Sequence, residues 1–178
     1  MNLARTVAAS ALGASVILSG VSMAAPAQAA GGSAHCKTSK KSFNLPSKPD
    51  VSVALKICGK YAGSWSGYRH YKAWVSKVSW SGTQWFIGGE RFNDFAVDLR
   101  LEHGGKGIGT SDSLDRNFAS DINDNESGSK SLSPGHYSSV NIATKKTRWT
   151  ADATVDFDIS GDGKGYKKWG LAGTSAFH

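Results

Sequence analysis

From Trp149 to Ile159 the chain alternates without a break: Trp149, Ala151, Ala153, Val155, Phe157 and Ile159 point one way, and Thr150, Asp152, Thr154, Asp156 and Asp158 the other. Such a segment buries one face only as a β-strand, because a helix would spread its apolar residues around the whole circumference. The turn signal Gly161-Asp162-Gly163-Lys164-Gly165 follows directly, and Tyr166 to Gly173, carrying Trp169 and Leu171, reads as the returning strand of a C-terminal hairpin. The pattern recurs upstream. Asp50 to Ile57 sets Val51, Val53, Leu55 and Ile57 against Ser52, Ala54 and Lys56; Phe95 to Glu102 sets Phe95, Val97, Leu99 and Leu101 against Ala96, Asp98, Arg100 and Glu102. Tyr68 to Trp80 is a longer strand with a weaker alternation. It places Trp74, Ser76, Val78 and Trp80 on one side and Ala73, Val75, Lys77 and Ser79 on the other, so both faces carry large residues.

No sustained 3.6-residue period runs through residues 42–178. With 21 Gly, 4 Pro, 2 Met, 6 Trp and 5 Tyr, the composition suits turn-rich strands better than a helical bundle. The expected fold is all-β: a single antiparallel β-sandwich or barrel over residues 42–178, with the C-terminal hairpin and one long loop rich in Gly, Ser, Asn and Asp from Gly104 to Ser139. That loop is either functional or hides short elements, with Ile108, Leu114, Phe118, Ile122, Leu132 and Tyr137 scattered through it. Within it, Ser113 to Ile122 fits a short helix and a strand equally well.

The N-terminus predicts an address. Arg5, the small and apolar stretch Val7 to Val21, and Ala27-Gln28-Ala29 form a secretory signal peptide over residues 1–29 with cleavage after Ala29. The stretch is too short and too rich in small residues for a membrane anchor, and no span is expected later. The full chain has 21 Lys+Arg against 14 Asp+Glu, net +7; removing Arg5 with the leader leaves 20 against 14, net +6. Cys36 and Cys58 are the 2 cysteines, both in the exported part, and are expected to form a disulfide. Residues 30–41 carry Lys37, Lys40 and Lys41 and little to bury, which predicts a flexible basic arm able to dock on a partner.

Chemistry-bearing patterns are few. His35, His70, His103, His136 and His178 lie more than 30 residues apart, without metal-ligand spacing, and no metal or cofactor is expected. Asp158-Ile159-Ser160-Gly161-Asp162-Gly163 starts like a calcium loop, but Lys164 intrudes and Trp169 stands where a bidentate acid is needed, which favours an Asx-Gly hairpin turn. Ser64, Ser66, Ser79 and Ser81 sit in Ser-Trp-Ser-Gly, occurring twice, rather than in a nucleophile elbow. The chain is therefore not expected to be an enzyme.

Tyr61 to Trp85 is the richest segment: Tyr61, Trp65, Tyr68, Tyr71, Trp74, Trp80 and Trp85 among Lys60, Arg69, His70, Lys72 and Lys77. Aromatics beside cations suit a protein contact surface, a sugar-stacking platform or a groove for single-stranded nucleic acid. The competing reading buries alternate rings in the sandwich and leaves the cations solvated. Trp65, Tyr68, Arg69, Tyr71, Lys72 and Trp74 are the candidate binding residues. Nucleic acid is not the expected partner, because an exported protein meets wall polymers and other proteins first.

Three stretches carry a resemblance: Ser42 to Cys58 (SFNLPSKPDVSVALKIC), Phe92 to Glu102 (FNDFAVDLRLE) and Trp149 to Gly165 (WTADATVDFDISGDGKG). They resemble small exported β proteins of Streptomyces and related actinobacteria, among them the adaptor subunit of umbrella toxin particles. That resemblance implies a connector without an active site, bridging a large repeat-containing toxin and a lectin, with the basic arm and the aromatic segment as docking surfaces. The expected function is a secreted, non-catalytic protein-binding adaptor. The alternatives are a module that binds cell wall or polysaccharide, through an anionic wall polymer, and a small secreted hydrolase or hydrolase inhibitor.

Overall fold

The alternation at Trp149–Ile159 is a strand over those same residues, with every odd-numbered side chain buried. The computed structural model describes residues 31–82, 89–107, 116–133 and 139–178; the leader expected over 1–29, and Trp85, His136 and Tyr137, lie outside them. The elements are β1 (His35–Leu45), β2 (Lys48–Trp65), β3 (Tyr68–Gly82), β4 (Phe92–His103), β5 (Lys106–Gly107), β6 (Arg116–Asn117), α1 (Ala119–Asn123), β7 (Ser127–Ser131), β8 (Ser139–Thr144), β9 (Trp149–Ile159) and β10 (Lys167–Gly170).

They form two antiparallel sheets. The first runs β1-β2-β3, with β7 paired to the second half of β3 and β8 to its first half. The second runs β10-β9-β4, with β5 and β6 on the far side of β4. Their inward rows meet in one core: Val51, Val53, Leu55 and Ile57 from β2, Phe95, Val97, Leu99 and Leu101 from β4, and Ala151, Ala153, Val155 and Phe157 from β9. Each fully buried Val or Leu contributes about 1.5–3 kcal/mol. The expected all-β fold, an antiparallel sandwich or barrel, is borne out by two antiparallel sheets sharing one core, and β9–β10 is the expected C-terminal hairpin.

Three expectations are corrected. Residues 35–41, read as part of a flexible arm, are the first half of β1, paired with β2 from His35↔Gly59 onwards. Cys36 lies directly opposite Cys58 with a Cα separation of 4.0 Å, and the two form the expected disulfide. In β3, Lys77 pairs with Lys56 while Val75 pairs with Ile57, so Ser76 is an extra residue and the alternation changes phase there. Trp74 consequently lies on the outer side of the sheet and Trp80 on the inner, not on one face as the unbroken alternation implied. The long loop, finally, is not structureless. The stretch Ser113 to Ile122, which fits helix and strand equally well by sequence, holds β6 and all but the last residue of α1, and residues 113–115 lie outside the described set. Phe118 and Ile122 are buried, and the Phe118 amide donates to the Phe95 carbonyl at 2.8 Å.

The segment after β10 closes one side of the sandwich. Leu171 and Thr174 donate their amides to the Ala153 and Ala151 carbonyls at 3.0 and 2.9 Å, and Phe177 exchanges hydrogen bonds with Trp149. It also reaches β1, because the Ala172 amide donates to Ser39 Oγ at 2.8 Å and His35 Nδ1 shares a 2.8 Å hydrogen bond with Ser175 Oγ.

Candidate functional site

The first Ser-Trp-Ser-Gly is a turn. Ser66 and Gly67 have φ of 52° and 76°, the pair of positive values that a two-residue type I′ hairpin needs, and they join β2 directly to β3. Trp65 and Tyr68 flank this turn as a cross-strand pair and are 44% and 46% exposed. The His70 ring stacks on Trp65 with centroids 3.2 Å apart and planes within 9°. Lys145 Nζ lies 5.9 Å from the Tyr68 ring centroid, and the Arg69 guanidinium lies 5.9 Å from that of Tyr61. A bulge between Tyr61 and Gly63, with Gly63 at φ 123°, gives the strands added twist just before the tip.

The second Ser-Trp-Ser-Gly stays in strand. Trp80 is buried, its Nε1 donates to the Asn125 carbonyl at 3.1 Å, and its ring fills the space a side chain on Gly128 would take. Identical tetrapeptides thus have opposite fates because β7 covers one and solvent the other.

Not all six candidate residues can meet a partner. Trp65, Tyr68 and Arg69 are exposed at the tip and Lys72 is half-buried, whereas Tyr71 (1% exposed) and Trp74 (8%) are buried. Tyr71 packs against Trp149, Phe177 and Tyr61. Burial pushes its phenol above the ordinary tyrosine value, against the opposing influence of Arg69. The lysines of the expected arm do not form one surface either. Lys37 and Lys41 occupy inward register positions opposite Ile57 and Val53, with Lys41 Nζ 4.9 Å from the Phe157 ring centroid, while Lys40 faces outward. Inward-aimed charges on an edge strand oppose the pairing of another chain there.

The cross-strand register also sorts charge between the two outer faces. On the first sheet Lys40, Lys56, Lys60, Lys72 and Lys77 share the outer side, Lys56 directly opposite Lys77 and Lys60 directly opposite Lys72. Like charges directly opposite one another weaken a sheet. Asp50, beyond the last paired row, is the one acid among the described strand residues of that side. The second sheet is the reverse: its outer side carries Asp94, Asp98, Glu102, Asp152, Asp156 and Asp158 against Arg100 and Lys168. Arg100 bridges Glu102 and Asp152 at 2.6 and 3.5 Å, and burial there raises the Asp152 carboxyl pKa.

Two other places were candidates. A shallow cavity of about 600 Å³ lies over Phe92, lined by Asn93, Asn117, Asn123 and Asp124. Its amides are already committed: Asn123 bonds the Arg91 and Phe92 backbone, Asn93 donates to Asp158, and Asn117 donates to Asp94. Arg91 beside it is buried and donates to the carbonyls of Ile122, Asn125 and Glu126, a structural role that sequence reasoning missed for want of any local pattern. In the turn after β9, Asp162 accepts from the Lys164 amide and from Lys167 Nζ, which holds its carboxyl below the usual range. Among the described residues no three His, Cys, Asp or Glu side chains stand close enough to hold a metal ion.

The hairpin tip therefore offers π-faces and cations in one place, a chemistry that holds aromatic, apolar or anionic groups. The fold and this tip define a disulfide-bonded antiparallel β-sandwich with an aromatic hairpin. No family model matches the chain, and no curated protein or solved structure matches it.

Proposed function

We propose that this protein is an exported, non-catalytic protein-binding adaptor that docks through the tip of the β2–β3 hairpin. The carrying observation is the exposed Trp65–Tyr68 pair, set beside Arg69 and Lys145 on a turn of minimal length. Large rings ordered by their own strands lose little entropy on binding, and Trp, Tyr and Arg dominate the energetics of protein contacts. Export rests on the leader sequence and on the disulfide, which persists in oxidising compartments. The resemblance to actinobacterial toxin-particle adaptors supports partners that are themselves secreted, a large repeat-containing toxin and a lectin.

Affinity purification from the native culture supernatant tests the reading. The wild-type protein comes out with a repeat-rich toxin and a lectin, and the Trp65→Ala/Tyr68→Ala variant, folded by its melting curve, comes out alone. A wild-type protein recovered only as a monomer overturns it. One observation favours the wall-polymer reading instead, the five-lysine outer face; a wall binder sediments with cells and is released as salt rises through the range that screens those charges.

A further inference from the structure

We infer that copies of this chain associate face to tail, the lysine-bearing outer face of the first sheet of one copy stacking on the acidic outer face of the second sheet of the next. The inference is independent of the hairpin tip and rests on the distribution of charge across the sandwich. Both complementary surfaces belong to the same molecule: among the described strand residues, five lysines with Asp50 lie on one side and six acids with two cations on the other.

The spacing matches as well as the sign. Lys56 and Lys60 on β2 are four residues apart, about 14 Å along an antiparallel strand, and so are Asp152 and Asp156 on β9 and Asp98 and Glu102 on β4. The bulge at Ser76 keeps Lys72 and Lys77 in the same two rows as Lys60 and Lys56. Beyond the Lys56–Lys77 row the outer positions are small, Ser42, Ser52, Ala54, Ser79, Ser81 and Ser129, while the row Cys36, Cys58, Trp74 and Ser139 runs between the two lysine rows. The directly opposed pair Lys56–Lys77, unfavourable in the isolated sheet, becomes favourable when carboxylates from a second copy sit beside it.

Such a contact is heterologous and joins opposite faces of the sandwich, so each pair of copies keeps one unused face at either end and association continues past the dimer. The paired rows from Ser52 to Lys60 across four strands cover on the order of 500 Å² per copy, an area that gives weak, reversible and salt-sensitive association.

Sedimentation of the exported protein is the test, with two variants: Lys56→Glu/Lys77→Glu on the basic face and Asp98→Lys/Asp156→Lys on the acidic face. At about 20 mM salt the wild type shows mass rising past the dimer with concentration, and at about 0.5 M it is a monomer. Each variant alone remains monomeric, with association at least tenfold weaker. An equimolar mixture of the two associates again, the intact basic face of one variant meeting the intact acidic face of the other; that rescue also shows both variants to be folded. A wild type that is monomeric at low salt overturns the inference, and so does a mixture that stays monomeric. A wild type that remains monomeric but binds polyglycerol phosphate, with the basic-face variant losing that binding, also overturns it and assigns the face to an anionic polymer.

Discussion

Phe177 occupies the space in which a side chain on Gly59 would stand: a Cβ there would lie 2.3 Å from the Phe177 ring and 3.1 Å from the Ala151 methyl. The C-terminal residues thus reach through the sandwich to the second strand, and β2 continues past Ile57 because a glycine leaves room for them. Gly59→Ala should destabilise the fold by about 1–3 kcal/mol through overpacking. Urea unfolding measures it, and an unchanged midpoint would show that Phe177 is not held there. Phe177→Ala in the Gly59→Ala background should recover part of the loss.

The aromatic segment divides in two by consequence. Trp65→Ala and Tyr68→Ala, at exposed tip positions, should change stability by no more than about 0.5 kcal/mol each. Trp74→Ala, at a buried position in the row Cys36, Cys58, Trp74, Ser139, should cost about 3–5 kcal/mol. Thermal melting of the three variants separates contact residues from packing residues. Equal losses at Trp65 and Trp74 would remove the distinction.

How far each strand could be read in advance depended on its inner face. Asp50 to Ile57, Phe95 to Glu102 and Trp149 to Ile159 are apolar at every inward position, and period two is enough to place them. β1 hides because Lys37, Ser39 and Lys41 stand where apolar residues would announce a strand. β3 is recognisable as a strand but its faces are not, since the extra residue at Ser76 swaps them and leaves no mark on the sequence. A helix as short as Ala119–Asn123 is too brief to show a period, and Arg91 acts through carbonyls more than 30 residues away. Of the candidate site, residue types were legible but exposure was not. Which ring faces water is decided by β8, β9 and the C-terminal segment, none of which is local to Tyr61–Trp74.

Reducing Cys36–Cys58, separated by 22 residues, should lower stability by about 3 kcal/mol in the chain-entropy account. Cys36→Ala/Cys58→Ala should behave like the reduced protein. The lost bond ties the edge strand to β2, so hydrogen exchange should rise first in residues 35–41. Uniform exchange across both sheets would instead indicate a global loss without local release of β1.

Tyr71 should give the fold an alkaline limb. Its phenol is buried and its pKa is raised, chiefly by that burial. The unfolded chain, with an ordinary tyrosine value near about 10, therefore loses this proton before the folded one does. The stability the neutral ring contributes is fully present below about pH 10 and declines as pH rises from there through the folded-state value. Tyr71→Phe removes the titrating group and keeps the ring contacts with Trp149 and Phe177. Among the described residues the hydroxyl has no hydrogen-bond partner of good geometry, so the substitution should be neutral or mildly stabilising at pH 7. Melting curves of both proteins between pH 8 and 11 measure the difference, to which surface tyrosines and lysines contribute equally in the two. The gap should widen in favour of the Tyr71→Phe variant above about pH 10, and parallel curves would show that the Tyr71 hydroxyl reaches solvent in the folded protein.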